Sequence, residues 1–331
     1  LDQSPIPEGA APGDALRNTL DLAGFADRLG YDRYWLAEHH GTPGLACASP
    51  EVMIGPVAAA TRRLRVGSGG VMLPHYSPLK VAETFSMLSG LFPGRIDLGV
   101  GRAPGTSGAV SRILQRDRRQ PPPDDFREQL EELLGYFAGD APANGPFRRN
   151  RAIHFETPEC SLLGSSAQSA IWAAQLGLPY VFADFINPEG APMADYYRQH
   201  FTPSERLESP RVAVAVWAIC APSGEEALRL SASFRMMMLM LYRGRPIPVP
   251  TVDRALEFLA HEGVPIDQLP AGRRIITGCP TKVRSLLEAV ALEYGAEEVF
   301  VVNIMHDHEA RRRSYELIAE VCGVWKPSGS V

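Results

Sequence analysis

The feature that most constrains this chain is an alternation. Near-continuous apolar runs, RYWLA, LRVGSGGVMLP, RIDLGVG, CSLLG, PYVFADF, RVAVAVWAICA and EEVFVVNIM, are separated by segments with helical periodicity. Strands that are apolar throughout must be covered on both faces, as parallel strands flanked by helices are. The spacing predicts a helix over GDALRNTLDLAGFADRLG, with Leu16, Leu20, Ala23 and Ala26 on one face. Ser49-Pro50-Glu51 and Ser77-Pro78 read as helix starts, serine at the cap and proline in the first turn.

Counting the opening LDQSP as a strand gives eight strand–helix units. Eight favour closure into a (β/α)8 TIM barrel, with an open doubly wound sheet as the other arrangement. No fixed-period repeat or linker divides residues 1–331, so one domain is expected. Two stretches interrupt the alternation as insertions: about 102–159, with PPPDD and the helix FREQLEELLGYF, and about 243–272, rich in proline and glycine. The chain opens at Leu1 as though part-way through a strand, so native residues upstream are expected. No signal peptide is visible there.

Composition narrows the function. A net charge of −5 and the pI near 6.0 leave no basic face for nucleic acid or a membrane surface. The uncharged stretch 160–183 is broken by Gly164, serines and Pro179, which excludes a spanning helix. Five scattered cysteines without C-x-x-C suggest neither a zinc site nor a disulfide framework, and fit a cytoplasmic protein.

In a barrel of this kind, chemistry collects at the carboxyl ends of the strands. RYWLA ends in Glu38-His39-His40, and the next strand passes through Gly69-Gly70. RIDLGVG ends in Gly101-Arg102, and CSLLG runs into Ser165-Ser166 and Ser169. The serines open a helix, where free N–H groups form an anion cradle or an ordinary cap. Arg102, on the neighbouring strand end, either pairs with the same phosphate or lies on the surface. Glycine within a strand marks a bulge or the close approach of a ligand. Glu38, His39 and His40 are candidates for proton chemistry or flavin contact, or else for structural hydrogen bonding; adjacent histidines point to opposite sides of a strand, so no metal site is expected. His306-Asp307-His308 lies on the same face or caps a helix, and Met236-Met237-Met238 reads as core or pocket lining. GRIDLGVGRAPGTSG resembles a dinucleotide turn, but Gly99, Gly101 and Gly105 are spaced one residue too far apart. No amphipathic helix follows at once, so it reads as a barrel strand ending at Gly101.

Together, YDRYWLAEHHG, LRVGSGGVMLPHYSPLKVAE, GRIDLGVGRAPG, LLGSSAQSAIWAAQLGLPYVFADF and GCPTKVRSLLEAVALEYGAEEVFVVNIMHDH resemble the bacterial luciferase-like monooxygenase family, in its flavin-dependent single-chain branch. The resemblance covers nearly the whole chain. It implies a (β/α)8 barrel binding reduced FMN supplied by a separate flavin reductase. That flavin would react with O2 to a hydroperoxide that oxygenates a small organic substrate. By resemblance Arg102, Ser166 and Ser169 match phosphate-binding positions, with Ser165 contributing backbone. Gly69-Gly70 matches the place of a non-prolyl cis peptide behind the flavin ring, and His39 a histidine that assists proton transfer. Gly101 stands where luciferases carry a reactive cysteine, so light emission is not implied. The 243–272 segment matches a mobile active-site loop, and a homodimer is implied. The substrate is not readable; epoxidation or Baeyer–Villiger insertion in natural-product (antibiotic) biosynthesis is one reading. The alternatives are a deazaflavin-dependent reductase or dehydrogenase on the same barrel and a non-catalytic flavin-binding partner subunit.

Overall fold

The run VAVAVWAIC is buried at all nine of its positions, as a strand covered on both faces must be. In the computed structural model, which describes residues 1–103, 105–115, 118–120, 124–138, 156–267 and 274–324, it is one of eight parallel strands. These are β1 (Arg33–Leu36), β2 (Arg65–Met72), β3 (Ile96–Gly101), β4 (Glu159–Gly164), β5 (Tyr180–Ala183), β6 (Val212–Cys220), β7 (Ile275–Gly278) and β8 (Glu298–Val302). The first helices are α1 (Pro12–Leu29), α2 (Pro50–Ala60), α3 (Pro78–Leu91), α4 (Gly108–Leu114), α5 (Phe126–Ala138) and α6 (Ala167–Leu176). They are followed by α7 (Ala191–Gln199), α8 (Gly224–Leu230), α9 (Ala232–Tyr242), α10 (Val252–His261), α11 (Pro280–Tyr294) and α12 (His308–Val321).

Strands β1 to β6 pair in sequence order, and β6 then forks. Its first half, Ala213 to Trp217, pairs with β8, and its second, Trp217 to Cys220, with β7. The opening residues close the ring. The Leu1 nitrogen donates to Val301 of β8 (2.9 Å), while Asp2 donates to Trp35 (2.7 Å) and accepts from Ala37 (2.9 Å) beside β1. The architecture is a (β/α)8 barrel. LDQSP thus supplies a single bridge to β1, Asp2 opposite Leu36, rather than a full strand. Conversely, β7 was not anticipated, because four residues after a proline-rich stretch carry too little period to stand out.

The expected caps are in place with altered chemistry. Ser49 and Ser77 precede α2 and α3, yet neither hydroxyl makes a cap bond, and Pro50 and Pro78 begin the helices. Asp307 does cap α12, accepting from Ala310 N at 2.7 Å, which settles the role of that triplet's acid. Residues 224–242 form two helices, α8 and α9, that meet at Ser231, whose hydroxyl turns back onto the Leu228 carbonyl (2.7 Å). Met236, Met237 and Met238 are core residues of α9. Of the first insertion, α4 and α5 are described. Phe126, Leu130 and Leu133 bury α5, which packs on α3 as the covering helix of its unit. Residues 139–155 and 268–273 lie outside the described residues. Within the second insertion α10 packs Ala255 and Leu259 on Ala232 and Met236 of α9. Among the described residues, no helix is long and apolar enough to cross a membrane.

Charges are buried in pairs. At the barrel floor Asp97, fully buried, accepts from Arg33 (2.7 Å), Arg65 (2.5 Å) and the Trp35 indole (2.8 Å). Beside the closing segment, Asp2 accepts from Arg311 (2.7 Å), Ser4 N (2.8 Å) and Tyr34 (2.5 Å). Burial pushes the Asp2 carboxyl up, but Arg311 and the hydrogen bonds prevail and hold it at about 2, against 3.8 for a free aspartate. Because the native value is the lower one, the stabilisation is intact above about pH 4 and lost as pH falls towards 2. Arg311→Met strands this carboxylate and is expected to destabilise the fold by about 3–5 kcal/mol at pH 7. Urea denaturation measures it; an unchanged midpoint would show that the pair does not hold the ring closed.

Candidate active site

Above the floor, the strand ends enclose a cavity of about 480 Å³. Its inner walls are apolar: Leu1, Trp35, Leu163, Val181, Phe185, Ala215 and Phe300 all line it. Trp35 and Phe300 pack ring on ring with centroids 4.5 Å apart. Polar groups gather at two places, the ends of β1 and β4.

At the β4 end the strand stops at Gly164, and Ser166 occupies the N-cap of α6 with extended backbone. The Ser166 hydroxyl makes no cap bond and Ser169 N–H turns back to the Ser166 carbonyl (3.2 Å), which leaves the N–H groups of Ala167 and Gln168 at the open end of α6. Ser169 is turned inward instead. Its hydroxyl donates to the Ser166 carbonyl (2.7 Å) and meets the Tyr180 hydroxyl (3.0 Å), fixing the turn. Asn187 donates to the Ser165 carbonyl (3.1 Å). Beside this turn, on the neighbouring strand end, stands Arg102, exposed, one residue beyond β3. A helix N-terminus, a free hydroxyl and a guanidinium on one rim form an anion site by their chemistry.

At the β1 end, His39 and His40 diverge. His40 leaves the cavity lining and binds Glu38 (2.7 Å), which is fully buried. Glu38 also accepts from Met72 N (2.9 Å) and the Tyr76 hydroxyl (2.9 Å), so both its oxygens are engaged. It pins the end of β2 to β1. His39 faces the cavity, its ring held from both sides. Nδ1 lies 3.3 Å from the Gly105 carbonyl, which can only accept, so Nδ1 carries the proton. Nε2 is then a lone pair facing the Gln3 amide nitrogen at 3.3 Å. Burial lowers the His39 pKa, opposed by the Gly105 bond and assisted by neighbouring His40. The ring is therefore neutral at pH 7.

Two glycines are explained by close contact. The Gly69–Gly70 peptide is cis, and the space of a Cβ on Gly70 lies 2.7 Å from the Gly99 carbonyl oxygen. Gly105 has φ +60°, and a Cβ there would come within 2.8 Å of the Glu38 carbonyl oxygen. At Gly101, by contrast, a Cβ would meet only the Met72 side chain at 3.5 Å, leaving that side open to the cavity.

Nine of the ten residues singled out in the sequence line this one cavity: Glu38, His39, Gly69, Gly70, Gly101, Arg102, Ser165, Ser166 and Ser169. Sequence reasoning missed Gln3, Trp35, Phe126, Trp172 and Phe300. Only Trp172 carried a local signal, three residues beyond Ser169 on one helix face. Among the described residues, no group of three His, Cys, Asp or Glu is placed to hold a metal. Gln3→Glu puts a carboxylate against Nε2 and is expected to raise the His39 pKa by about one unit or more. A ¹⁵N NMR titration of the ring measures it; an unmoved midpoint would break the Gln3–His39 link.

A family model for luciferase-like monooxygenases matches residues 2–264. A luciferase-like monooxygenase of Escherichia coli is 41% identical, spanning 97% of this chain and 95% of that one. The crystal structure of apo-MsnO8 superposes with a TM-score of 0.87 at 39% identity, over 97% of this chain and 96% of that one. Below 25% identity the likeness concerns the fold alone. It extends to the oxygenating constituent of 3,6-diketocamphane monooxygenase with FMN, at TM-score 0.72, 20% identity and 97% and 96% coverage. It extends equally to an F420-dependent secondary alcohol dehydrogenase, at 0.63, 16%, and 94% and 95%. The chain is an enzyme of the luciferase-like monooxygenase family.

Proposed function

We propose that this enzyme is an FMN-dependent monooxygenase, taking reduced FMN from a separate flavin reductase and inserting one oxygen atom of O2 into a small organic substrate. The observation that carries this reading is the polarity of the cavity. One rim offers Arg102, Ser166 and the open turn of α6, and the rest is apolar apart from Gln3, Glu38 and His39. That matches a ligand with one anionic end and a large planar apolar body. A pocket of about 300–1,000 Å³ is the usual size for such ligands. Bound there, the reduced flavin supplies the electrons that activate O2.

The chain's own residues do the rest. Arg102 and Ser166 would donate to the phosphate, with Ser165 and the α6 backbone, while Ser169 holds the turn that presents them. Gly69, Gly70 and Gly101 leave the strand ends free of side chains where a ring would lie. Trp35, Phe185 and Phe300 exclude water from the reacting end. His39, neutral and protonated at Nδ1, would serve as the base, holding a proton at Nε2 on the cavity side. The apolar inner wall favours an uncharged substrate, and epoxidation or Baeyer–Villiger insertion in natural-product tailoring fits it. Outside the barrel, Val52 of α2 and Met87 and Leu91 of α3, two helices that pack on each other, are exposed. We assign this apolar face to pairing of two copies.

His39→Ala is expected to leave reduced-FMN affinity within about twofold while turnover falls about 10²-fold. Because the base works unprotonated, wild-type turnover should hold at neutral pH and fall on acidification through a pKa below 6.5. Oxygen uptake across a substrate panel reads both. Turnover supported only by reduced deazaflavin, or unchanged in His39→Ala, would contradict the assignment.

A further inference from the structure

Arg102 stands at the rim exposed, and among the described residues no hydrogen bond or ion pair engages its guanidinium. An exposed arginine left to itself samples many rotamers, and ordering it on binding costs affinity. Here it has one fixed contact. Its Cζ lies 5.4 Å from the centroid of the Trp172 ring, within the range of a cation–π interaction. Trp172 itself packs against Phe126 of α5, with centroids 5.3 Å apart and an interplanar angle of 33°. Phe126 is only 3% exposed. All three side chains line the cavity.

We propose that Trp172, backed by Phe126, is a positioning residue that holds the Arg102 guanidinium ready for the phosphate of the flavin. The inference rests on the FMN reading and adds to it a role for the first insertion. A cation–π contact uses none of the guanidinium's N–H donors for a hydrogen bond, and those donors are what pair with phosphate oxygens. Helix α6 thereby contributes twice, through its N-terminal turn and, from its next turn, through the ring beneath the arginine. Helix α5 anchors that ring to the barrel.

The test is the dissociation constant of reduced FMN and of reduced riboflavin, measured anaerobically, for wild type, Arg102→Ala, Trp172→Leu, Trp172→Phe and the double variant Arg102→Ala/Trp172→Leu. Wild type should prefer FMN, and Arg102→Ala should abolish most of that preference. Trp172→Leu should weaken FMN about three- to tenfold while leaving riboflavin within about twofold, and Trp172→Phe should restore most of the loss. In the Arg102→Ala background the same Leu substitution should cost nothing further. Equal weakening of both ligands by Trp172→Leu, or an additive loss in the double variant, would overturn the positioning role alone. Equal affinity of wild type for FMN and riboflavin would overturn the phosphate assignment itself, and the inference with it.

Discussion

The structure depends on a buried carboxylate. Asp2 sits between Leu1, which bonds to β8, and Gln3, which reaches His39, and its charge is matched by Arg311 on the last helix. Through that ion pair the first residues of the chain are tied to the last helix, and the ring of strands closes. Without closure Leu1 and Gln3 would have no fixed place, and the cavity would lose one wall and the partner of its histidine. The opposing terms are large. Burying Asp2 and Arg311 costs several kcal/mol each, and only the combination of ion pair, tyrosine and backbone donor offsets it. The same logic recurs at the floor, where Asp97 gathers two arginines and the Trp35 indole and so fixes the ring on which the cavity rests.

Much of the site was legible in the sequence because its polar residues are local to strand ends. Arg102 follows β3, Ser166 precedes α6 and His39 follows β1, each one or two residues beyond an apolar run. Parallel topology then brings these ends together without further information. What was not legible is the inner wall. Trp35 and Phe300 sit mid-strand, and nothing in their neighbours marks them as cavity rather than core. Their convergence is a property of the closed ring. The Glu38-His39-His40 triplet shows the limit from the other side. Of three adjacent candidates just beyond β1, His40 turns away to serve Glu38, while Glu38 and His39 line the cavity and of the two histidines His39 alone reaches it.

GRIDLGVGRAPGTSG now has a physical account. Ile96 to Gly101 is the barrel strand, and Arg102 is the rim cation. Gly105, the glycine that spoils the dinucleotide spacing, adopts a left-handed backbone against Glu38 and presents its carbonyl to His39 Nδ1. The odd spacing therefore belongs to two ends of one site. Arg102 serves the anionic end, and three residues later Gly105 sets the tautomer of the histidine at the reacting end.

The central claim is that this cavity is a flavin site with its phosphate end at Arg102 and α6 and its ring end at the Gly69–Gly70 peptide. A crystal structure of the enzyme with FMN tests it most directly. The account predicts phosphate oxygens within hydrogen-bond distance of the Arg102 guanidinium and the Ser166 hydroxyl, with the ring lying between Gly69–Gly70 and the His39 side of the cavity. Phosphate density away from that rim, or a ring lodged outside the strand ends, would contradict it.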